Sequence, residues 1–88
     1  MGHAIIIREV GGPDVMHYEA VPTPKPGAGE VLVRHTAIGV NFLDTYFRSG
    51  LYPAANGVPF TPGAEAAGVV EMIGEEVTSV DPGDRVAY

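Results

Sequence analysis

The chain has 88 residues, a length that allows one small domain with a thin core. Its 11 Asp and Glu residues outnumber five Lys and Arg, and the formal net charge of −6 argues against nucleic acid or an anionic membrane as partner, because both require a basic face. The sequence has no cysteine, which excludes a disulfide framework and a thiolate metal site, and no apolar run long enough to span a bilayer, so we predict a soluble, cytoplasmic protein.

The start of the chain predicts a β-hairpin. Residues 4–10 are rich in β-branched side chains, which favours a strand, and the Gly-Gly-Pro-Asp sequence that follows favours a turn. In residues 15–21, Met16, Tyr18 and Ala20 alternate with other side chains. This period of two indicates a half-buried strand whose apolar face these three side chains form.

A third strand leads into the one predicted helix. Prolines and glycines in residues 22–29 predict a stiff, extended connection and a turn, because the proline ring fixes φ and glycine tolerates conformations that other residues avoid. Residues 30–38 are the longest strand candidate, and they continue through Gly39 into the helix.

Both ends of the helix are marked in the sequence. Asn41 is a favourable N-cap, and Asp44 in the first turn complements the positive end of the helix. Asp44 and Arg48 have the spacing of a stabilising ion pair, and Gly50 supplies the positive φ that commonly ends a helix. Helix capping alone explains Asn41 and Asp44 without any ligand. The residues by themselves therefore do not decide between a capping role and a role in a site.

Aromatic side chains are concentrated on and just after this helix. Phe42 and Tyr46, like Leu43 and Phe47, are four residues apart and therefore share a helix face, and Tyr52 follows on a loop stiffened by proline. Packing accounts for such tyrosines more often than a site does. These aromatic side chains, together with the polar groups of the same segment, are nevertheless more than a simple connecting segment requires.

The remainder predicts short strands separated by turns. A loop over residues 53–63 leads to a strand at 64–73, with Val70 and Met72 on one face, and a short strand at 77–80 precedes a final one. The final strand occupies residues 84–88, after turns at 74–76 and 81–83. These elements indicate a mainly β fold with one short helix, arranged as a small, irregular β-barrel.

One carboxylate and three histidines need separate consideration. Glu65 is flanked by alanines and glycines, where it needs either a partner, for which Arg48 and Arg85 are candidates, or an opening to water. The histidines have no metal-ligand spacing, and we assign them to surface or packing roles; they are His3, His17 and His35.

Several motifs together resemble a known family. Residues 39–53 (GVNFLDTYFRSGLYP), 62–68 (PGAEAAG) and 83–86 (GDRV), with a similar opening segment at 4–15, resemble the zeta-crystallin-like NAD(P)H:quinone oxidoreductases of the medium-chain dehydrogenase/reductase superfamily. The resemblance covers essentially the whole chain. It implies that residues 1–88 are the N-terminal part of a GroES-like, partly open barrel forming one wall of the active-site cleft. It also implies that the Rossmann domain, which binds NADPH in that family, is absent from this chain.

The resemblance also implies a site without metal. Zinc-dependent alcohol dehydrogenases of the superfamily carry Gly-x-Cys where this chain has Gly39-Val40-Asn41, and Gly-His-Glu where it has Gly63-Ala64-Glu65. An asparagine amide and an alanine methyl cannot replace a thiolate and an imidazole as zinc ligands. We therefore expect no zinc, with Glu65 remaining as a cleft carboxylate.

Carried over residue by residue, the resemblance implies a substrate and cofactor site but names no catalytic residue. Asn41 is expected to contact the nicotinamide or the substrate, and Tyr46 and Tyr52 to line the quinone pocket. Phe42 and Glu65 are further candidates. NADPH would supply hydride to the quinone, while a tyrosine hydroxyl or the Asn41 amide stabilises the charge that develops on oxygen.

Several alternatives remain open at this point. An enone, alkenal or enoyl thioester reductase of the same superfamily shares these features, and a GroES-like binding module without catalysis is a rival from another class. The choice of NADPH over NADH depends on residues outside this chain. We expect the 88 residues alone to be inactive and to self-associate through unpaired strand edges, and the full-length enzyme to be a homodimer.

Overall fold

A computed structural model describes residues 2–88, which divide into two compact units. The first unit contains the residues up to Thr23 together with Val40–Ala64, and the second contains Pro24–Gly39 with Glu65–Tyr88. Within the described residues no helix has the length and apolar character needed to cross a membrane. The elements are β1 (Gly2–Ile7), a 3-10 turn (Pro13–Val15), β2 (Met16–Val21), β3 (Val31–Ile38), α1 (Phe42–Ser49), β4 (Ala66–Ile73) and β5 (Arg85–Ala87).

The first unit contains the predicted hairpin. Strands β1 and β2 pair antiparallel, with Ile5 opposite Tyr18 and Ile7 opposite Met16. Strand β1 ends at Ile7 rather than at residue 10. Ile7 also bridges to a second segment: its N–H donates to the Phe60 carbonyl at 2.9 Å and its carbonyl accepts from the Phe60 N–H at 3.0 Å. Ile7 is fully buried and forms the centre of this unit.

The prediction of a buried face on β2 is wrong. Tyr18 is 71% exposed, and Met16 and Ala20 on the same face are also exposed. Sequence alternation shows which side chains share a face, whereas burial depends on what packs against that face. In this unit burial falls instead on Ile7 and Val15, and the Tyr18 ring stacks on His3 with 5.0 Å between ring centroids.

An exposed ion pair joins the end of β1 to β2. The Arg8 guanidinium donates to both carboxylate oxygens of Glu19, one of them at 2.8 Å. The hydrogen bond from Arg8 lowers the pKa of Glu19, and the same bond raises the pKa of Arg8. Both effects favour the ionised pair near neutral pH.

We expect this pair to stabilise the hairpin at neutral pH and to lose that effect in acid. Because the folded-state pKa of Glu19 is lowered, its contribution is present above the ordinary value of 4.5 and disappears as the pH falls through the folded-state value. The urea midpoint of Glu19→Gln should lie below that of the wild type near pH 7 and approach it near pH 2. A gap of equal size at both pH values would contradict the linkage, and Glu9→Gln is a control for removing a nearby exposed carboxylate.

The second unit is a three-stranded antiparallel sheet in the order β3-β4-β5. Central strand β4 pairs with β3 through two register irregularities and with β5 through residues Arg85–Ala87. Val70 on β4 is 1% exposed and Ala66 is 7% exposed, so the core of this unit lies along the central strand. The strands predicted at 30–38, 64–73 and 84–88 are confirmed with slightly shorter bounds.

The strand predicted at residues 77–80 is wrong. The turn before it includes Glu76 with φ of 72°, a left-handed conformation. The neighbouring edge of β4 is occupied by residues farther along the chain: Val70 donates to the Asp84 carbonyl at 2.9 Å, and Gly83 donates to the Val70 carbonyl at 2.8 Å. Residues 77–80 therefore form a connection between β4 and β5.

The predicted fold class, mainly β with one short helix, is confirmed. The described strands form a two-stranded sheet in the first unit and a three-stranded sheet in the second, and neither sheet closes on itself. The helix α1 lies in the first unit, while Glu65, immediately before β4, lies in the second.

Candidate aromatic substrate site

The site is built on helix α1, whose predicted ends are confirmed. Asn41 occupies the N-cap in an extended conformation, and its backbone N–H donates to the Asp44 carboxylate at 2.9 Å. The Asp44 N–H donates in return to the Asn41 carbonyl at 2.9 Å. Gly50 ends the helix with φ of 86°, so the first turn and the last residue of α1 are both fixed by local chemistry.

The predicted ion pair between Asp44 and Arg48 is wrong. Asp44 is engaged at the start of the helix, and the Arg48 Nε donates instead to the Gly11 carbonyl at 3.2 Å. The Gly11 N–H donates to the Arg48 carbonyl at 2.9 Å. Within residues 2–88 the ion pairs are Arg8–Glu19 and Arg34–Glu71.

Three predicted site residues lie together in one aromatic cluster, which we define as Phe42, Tyr46, Phe47 and Tyr52. Phe42 and Tyr46 meet edge to face with ring centroids 5.5 Å apart, and Tyr46 meets Tyr52 in the same way at 5.3 Å. Phe47 also meets Tyr52 edge to face, with ring centroids 6.1 Å apart. The backbone N–H of Tyr52 also donates to the Tyr46 carbonyl at 3.2 Å, which ties the loop to the helix.

The aromatic cluster presents ring surface to solvent. Phe42 is 74% exposed and Tyr52 is 47% exposed, whereas Tyr46 and Phe47 are half-buried. Asn41 begins the same helix and is exposed. Exposed aromatic faces and edges stack on flat apolar molecules, and phenol and amide groups beside them donate hydrogen bonds. The aromatic cluster and Asn41 together form a surface, called the acceptor wall below, that is able to bind a flat ligand with acceptor oxygens.

Glu65 has its opening to water rather than an arginine partner. It is exposed and takes part in neither ion pair of the described chain. Its side chain lies over the backbone of Gly39, where an added Cβ would come within 2.4 Å of the Glu65 Cγ. The Gly39 N–H donates to the Glu65 carbonyl at 3.0 Å. Position 39 therefore requires glycine, because a larger residue would collide with the Glu65 side chain.

The histidines have surface positions, with two of them beside tyrosines. His3 stacks on Tyr18, and the His35 Nε2 lies 3.0 Å from the Tyr88 hydroxyl oxygen. His17 is exposed on β2. The described residues contain no group of three side chains placed to hold a metal ion.

Two shallow surface depressions lie away from the predicted site residues. One, in the first unit, is lined by Arg8, Glu9, Val15, His17 and Glu19. The other, in the second unit, is lined by residues between Pro24 and Leu32. We base the site on the aromatic cluster instead, because these depressions are open and lack its ring surface.

Comparison with known families identifies the class of fold. Residues 27–88 match the family described as the alcohol dehydrogenase GroES-like domain. The chain belongs to this family.

The similar proteins are longer than this chain. A quinone oxidoreductase of Pseudomonas aeruginosa is 52% identical over 88 residues, covering 100% of this chain and 27% of that protein. A 2-haloacrylate reductase of a Burkholderia species is 49% identical over 85 residues, covering 94% of this chain and 26% of the relative. The chain thus spans about a quarter of the length of these relatives.

A solved structure gives the same result in three dimensions. The crystal structure of an Escherichia coli quinone oxidoreductase complexed with NADPH superposes with a TM-score of 0.94 at 41% identity, covering 99% of this chain and 26% of that one. The resemblance to quinone oxidoreductases that the motifs indicated is confirmed, and the GroES-like character of the fold is confirmed with it.

Proposed function

We propose that this chain is the substrate-side part of a zinc-free, NADPH-dependent quinone oxidoreductase. The observation that carries the proposal is the edge-to-face contact of three rings on and after α1, with centroids 5.5 and 5.3 Å apart; the outer two, Phe42 and Tyr52, are exposed and Tyr46 between them is half-buried. The quinone oxidoreductases of P. aeruginosa and E. coli support it through their identity to this chain, and the E. coli structure contains NADPH. We extend the same proposal to a homodimer in the cytoplasm.

NADPH, when bound, supplies the hydride that reduces the acceptor. The residues of this chain then have three tasks. The rings of Tyr46 and Tyr52 hold a flat acceptor, a tyrosine hydroxyl or the Asn41 amide donates to the oxygen on which negative charge develops, and the apolar wall displaces water so that this donation has full strength. Asp44 serves the helix, since its carboxylate is already bonded to the Asn41 N–H.

The residues of this chain suit only one part of the cofactor. An exposed amide at Asn41 and ring faces beside it suit a nicotinamide, whereas the glycine-rich turn that binds a pyrophosphate is not spelled in these 88 residues. We therefore assign most of the NADPH contacts to a separate Rossmann domain of the complete enzyme. Residues 1–88 would then be one part of its catalytic domain, inactive when isolated.

The test is a turnover assay on the complete enzyme, meaning this chain joined to its cofactor domain. We expect NADPH oxidation with a naphthoquinone acceptor, and equal rates before and after treatment with a strong zinc chelator, because Asn41 and Ala64 stand where zinc ligands would be needed. Loss of activity on chelation, reversed by zinc, would overturn the zinc-free assignment. Absence of any quinone turnover would overturn the proposed activity.

A second candidate is reduction of an activated alkene. The relative named 2-haloacrylate reductase favours it, since it is 49% identical to this chain. The same donors would stabilise the oxygen of an enolate instead of a reduced quinone. Faster turnover of an enone, alkenal or 2-haloacrylate than of any quinone would support this alternative, and an enzyme that binds these compounds without turnover would indicate a binding module.

We also expect the isolated 88-residue chain to self-associate. Edge strand β3 has eight residues, with an exposed segment from Arg34 to Ile38, and Val40 next to it in sequence is 88% exposed. An unpaired edge together with exposed apolar side chains favours association between copies. Sedimentation across a hundredfold concentration range should show a rising mass, and a constant monomer mass would refute the prediction.

A further inference from the structure

We propose that Arg48 is a positioning residue for the acceptor wall, holding Tyr46 and Tyr52 in place through the turn that follows β1. The inference rests on the proposed function and adds a residue to it. Arg48 itself does not belong to the aromatic cluster. Its contacts lie on the turn at Gly11, in the same unit as α1.

Two hydrogen bonds form a reciprocal clamp between the turn and the helix. The Arg48 Nε donates to the Gly11 carbonyl at 3.2 Å, and the Gly11 N–H donates to the Arg48 carbonyl at 2.9 Å. The first of these is partly buried, where a hydrogen bond from a charged donor is stronger than in water. The second satisfies a carbonyl in the last turn of α1, which has no partner inside the helix.

Close packing at the helix end strengthens the clamp. An added Cβ at Gly50 would lie 3.2 Å from the Val10 side chain, so the turn presses against the residue that ends α1. An added Cβ at Gly11 would lie 2.8 Å from the Val15 side chain, which is itself buried. A side chain at Gly11 would therefore force a shift, and one at Gly50 would require Val10 to move by a few tenths of an ångström.

The clamp is connected to Tyr46 and Tyr52 through the last turn of the helix. Arg48 lies two residues after Tyr46 on the helix, and Tyr52 follows two residues after Gly50. The Tyr52 N–H donates to the Tyr46 carbonyl at 3.2 Å, and the two rings meet at 5.3 Å. If the end of the helix loosens, the bond and the ring contact loosen together, and small displacements of a substrate wall reduce turnover strongly.

The inference predicts a selective loss in Arg48→Ala of the complete enzyme. The value of kcat/KM for a naphthoquinone should fall about tenfold while the KM for NADPH stays within about twofold of the wild type. Combining Arg48→Ala with Tyr52→Ala should cost little beyond Tyr52→Ala alone, because both changes remove the same wall. Arg85→Ala removes an exposed arginine of the other unit and is the matched control.

A second readout is independent of activity. Amide hydrogen exchange in peptides covering residues 9–12 and 46–52 should become about tenfold faster in Arg48→Ala and stay unchanged in Arg85→Ala. Unchanged exchange, or faster exchange with unchanged quinone kinetics, would overturn the positioning role, as would equal losses in Arg85→Ala. If the wild-type enzyme turns over no quinone, the proposed function fails while exchange still tests the clamp. Arg48→Lys replaces the alanine variant if the latter does not fold.

Discussion

Gly68→Ala is expected to destabilise the complete protein by about 3 kcal/mol, through overpacking at the centre of the three-stranded sheet. A Cβ at this position would lie 2.1 Å from the Arg34 carbonyl oxygen and 2.9 Å from the Val33 side chain. The first distance is far below contact between a carbon and an oxygen atom. Because the obstacle is backbone, β3 or β4 must move for the methyl group to fit.

The requirement for glycine here is one of space. Gly68 is not among the glycines with positive φ, so its backbone conformation is accessible to alanine. It pairs with His35 on one side and Val86 on the other, so a shift affects both ladders of β4. Val70, two residues along the strand, is the most buried side chain of the sheet and would be displaced with it.

Thermal unfolding measures this effect. The complete protein is larger than this chain, and in a domain of about 150–250 residues a loss of about 3 kcal/mol lowers Tm by about 6–12 °C. Gly2→Ala adds the same methyl group where nothing lies within 4 Å and is the matched control. Equal Tm values for the two variants would show that β3 and β4 accommodate the methyl group and that the close approach at Gly68 does not limit stability.

The helix illustrates what the sequence could predict. Asn41, Asp44 and Gly50 act within a few residues of their own positions, and the structure places the N-cap and the helix end where those residues indicated. The aromatic spacing was equally local, since Phe42 and Tyr46 meet because they are four residues apart on one helix. Local signals of this kind do not depend on the rest of the fold.

The failures arise where distant segments decide the outcome. Arg48 had a local partner in Asp44, yet it bonds Gly11, which is 37 positions away. Residues 77–80 have strand-forming composition, but the edge of β4 is filled by Asp84 and its successors. The apolar alternation of β2 identified one face correctly without showing that the face is exposed. A sequence pattern describes a residue's own segment, whereas partners across the fold compete for the same groups.

Tyr52→Ala is expected to lower kcat/KM for a naphthoquinone in the complete enzyme by at least about tenfold. An aromatic contact contributes ~0.5–1.5 kcal/mol beyond the surface it buries, and about 1.4 kcal/mol corresponds to a tenfold change in rate. Removing the Tyr52 ring also removes one of the two edge-to-face contacts of Tyr46, the one at 5.3 Å, so the aromatic cluster loses shape as well as surface. The KM for NADPH should change much less, because this chain holds little of the cofactor in the proposed arrangement.

Two further variants are controls for Tyr52→Ala. One distinguishes the effect of the Tyr52 ring from that of its hydroxyl, and the other measures the effect of losing a tyrosine elsewhere. Tyr52→Phe keeps the contacts to Tyr46 and Phe47, and we expect its kcat/KM to stay within about threefold of the wild type if Tyr52 acts as a wall, since a lost charge-stabilising donor costs about a hundredfold. A hundredfold loss in Tyr52→Phe would make Tyr52 the hydrogen-bond donor instead. Tyr18→Ala removes a 71% exposed tyrosine from the hairpin and should leave kinetics unchanged. Unchanged kinetics of Tyr52→Ala with every acceptor would remove Tyr52 from the site, and the proposed wall would then have to be formed by Phe42 and Tyr46 alone.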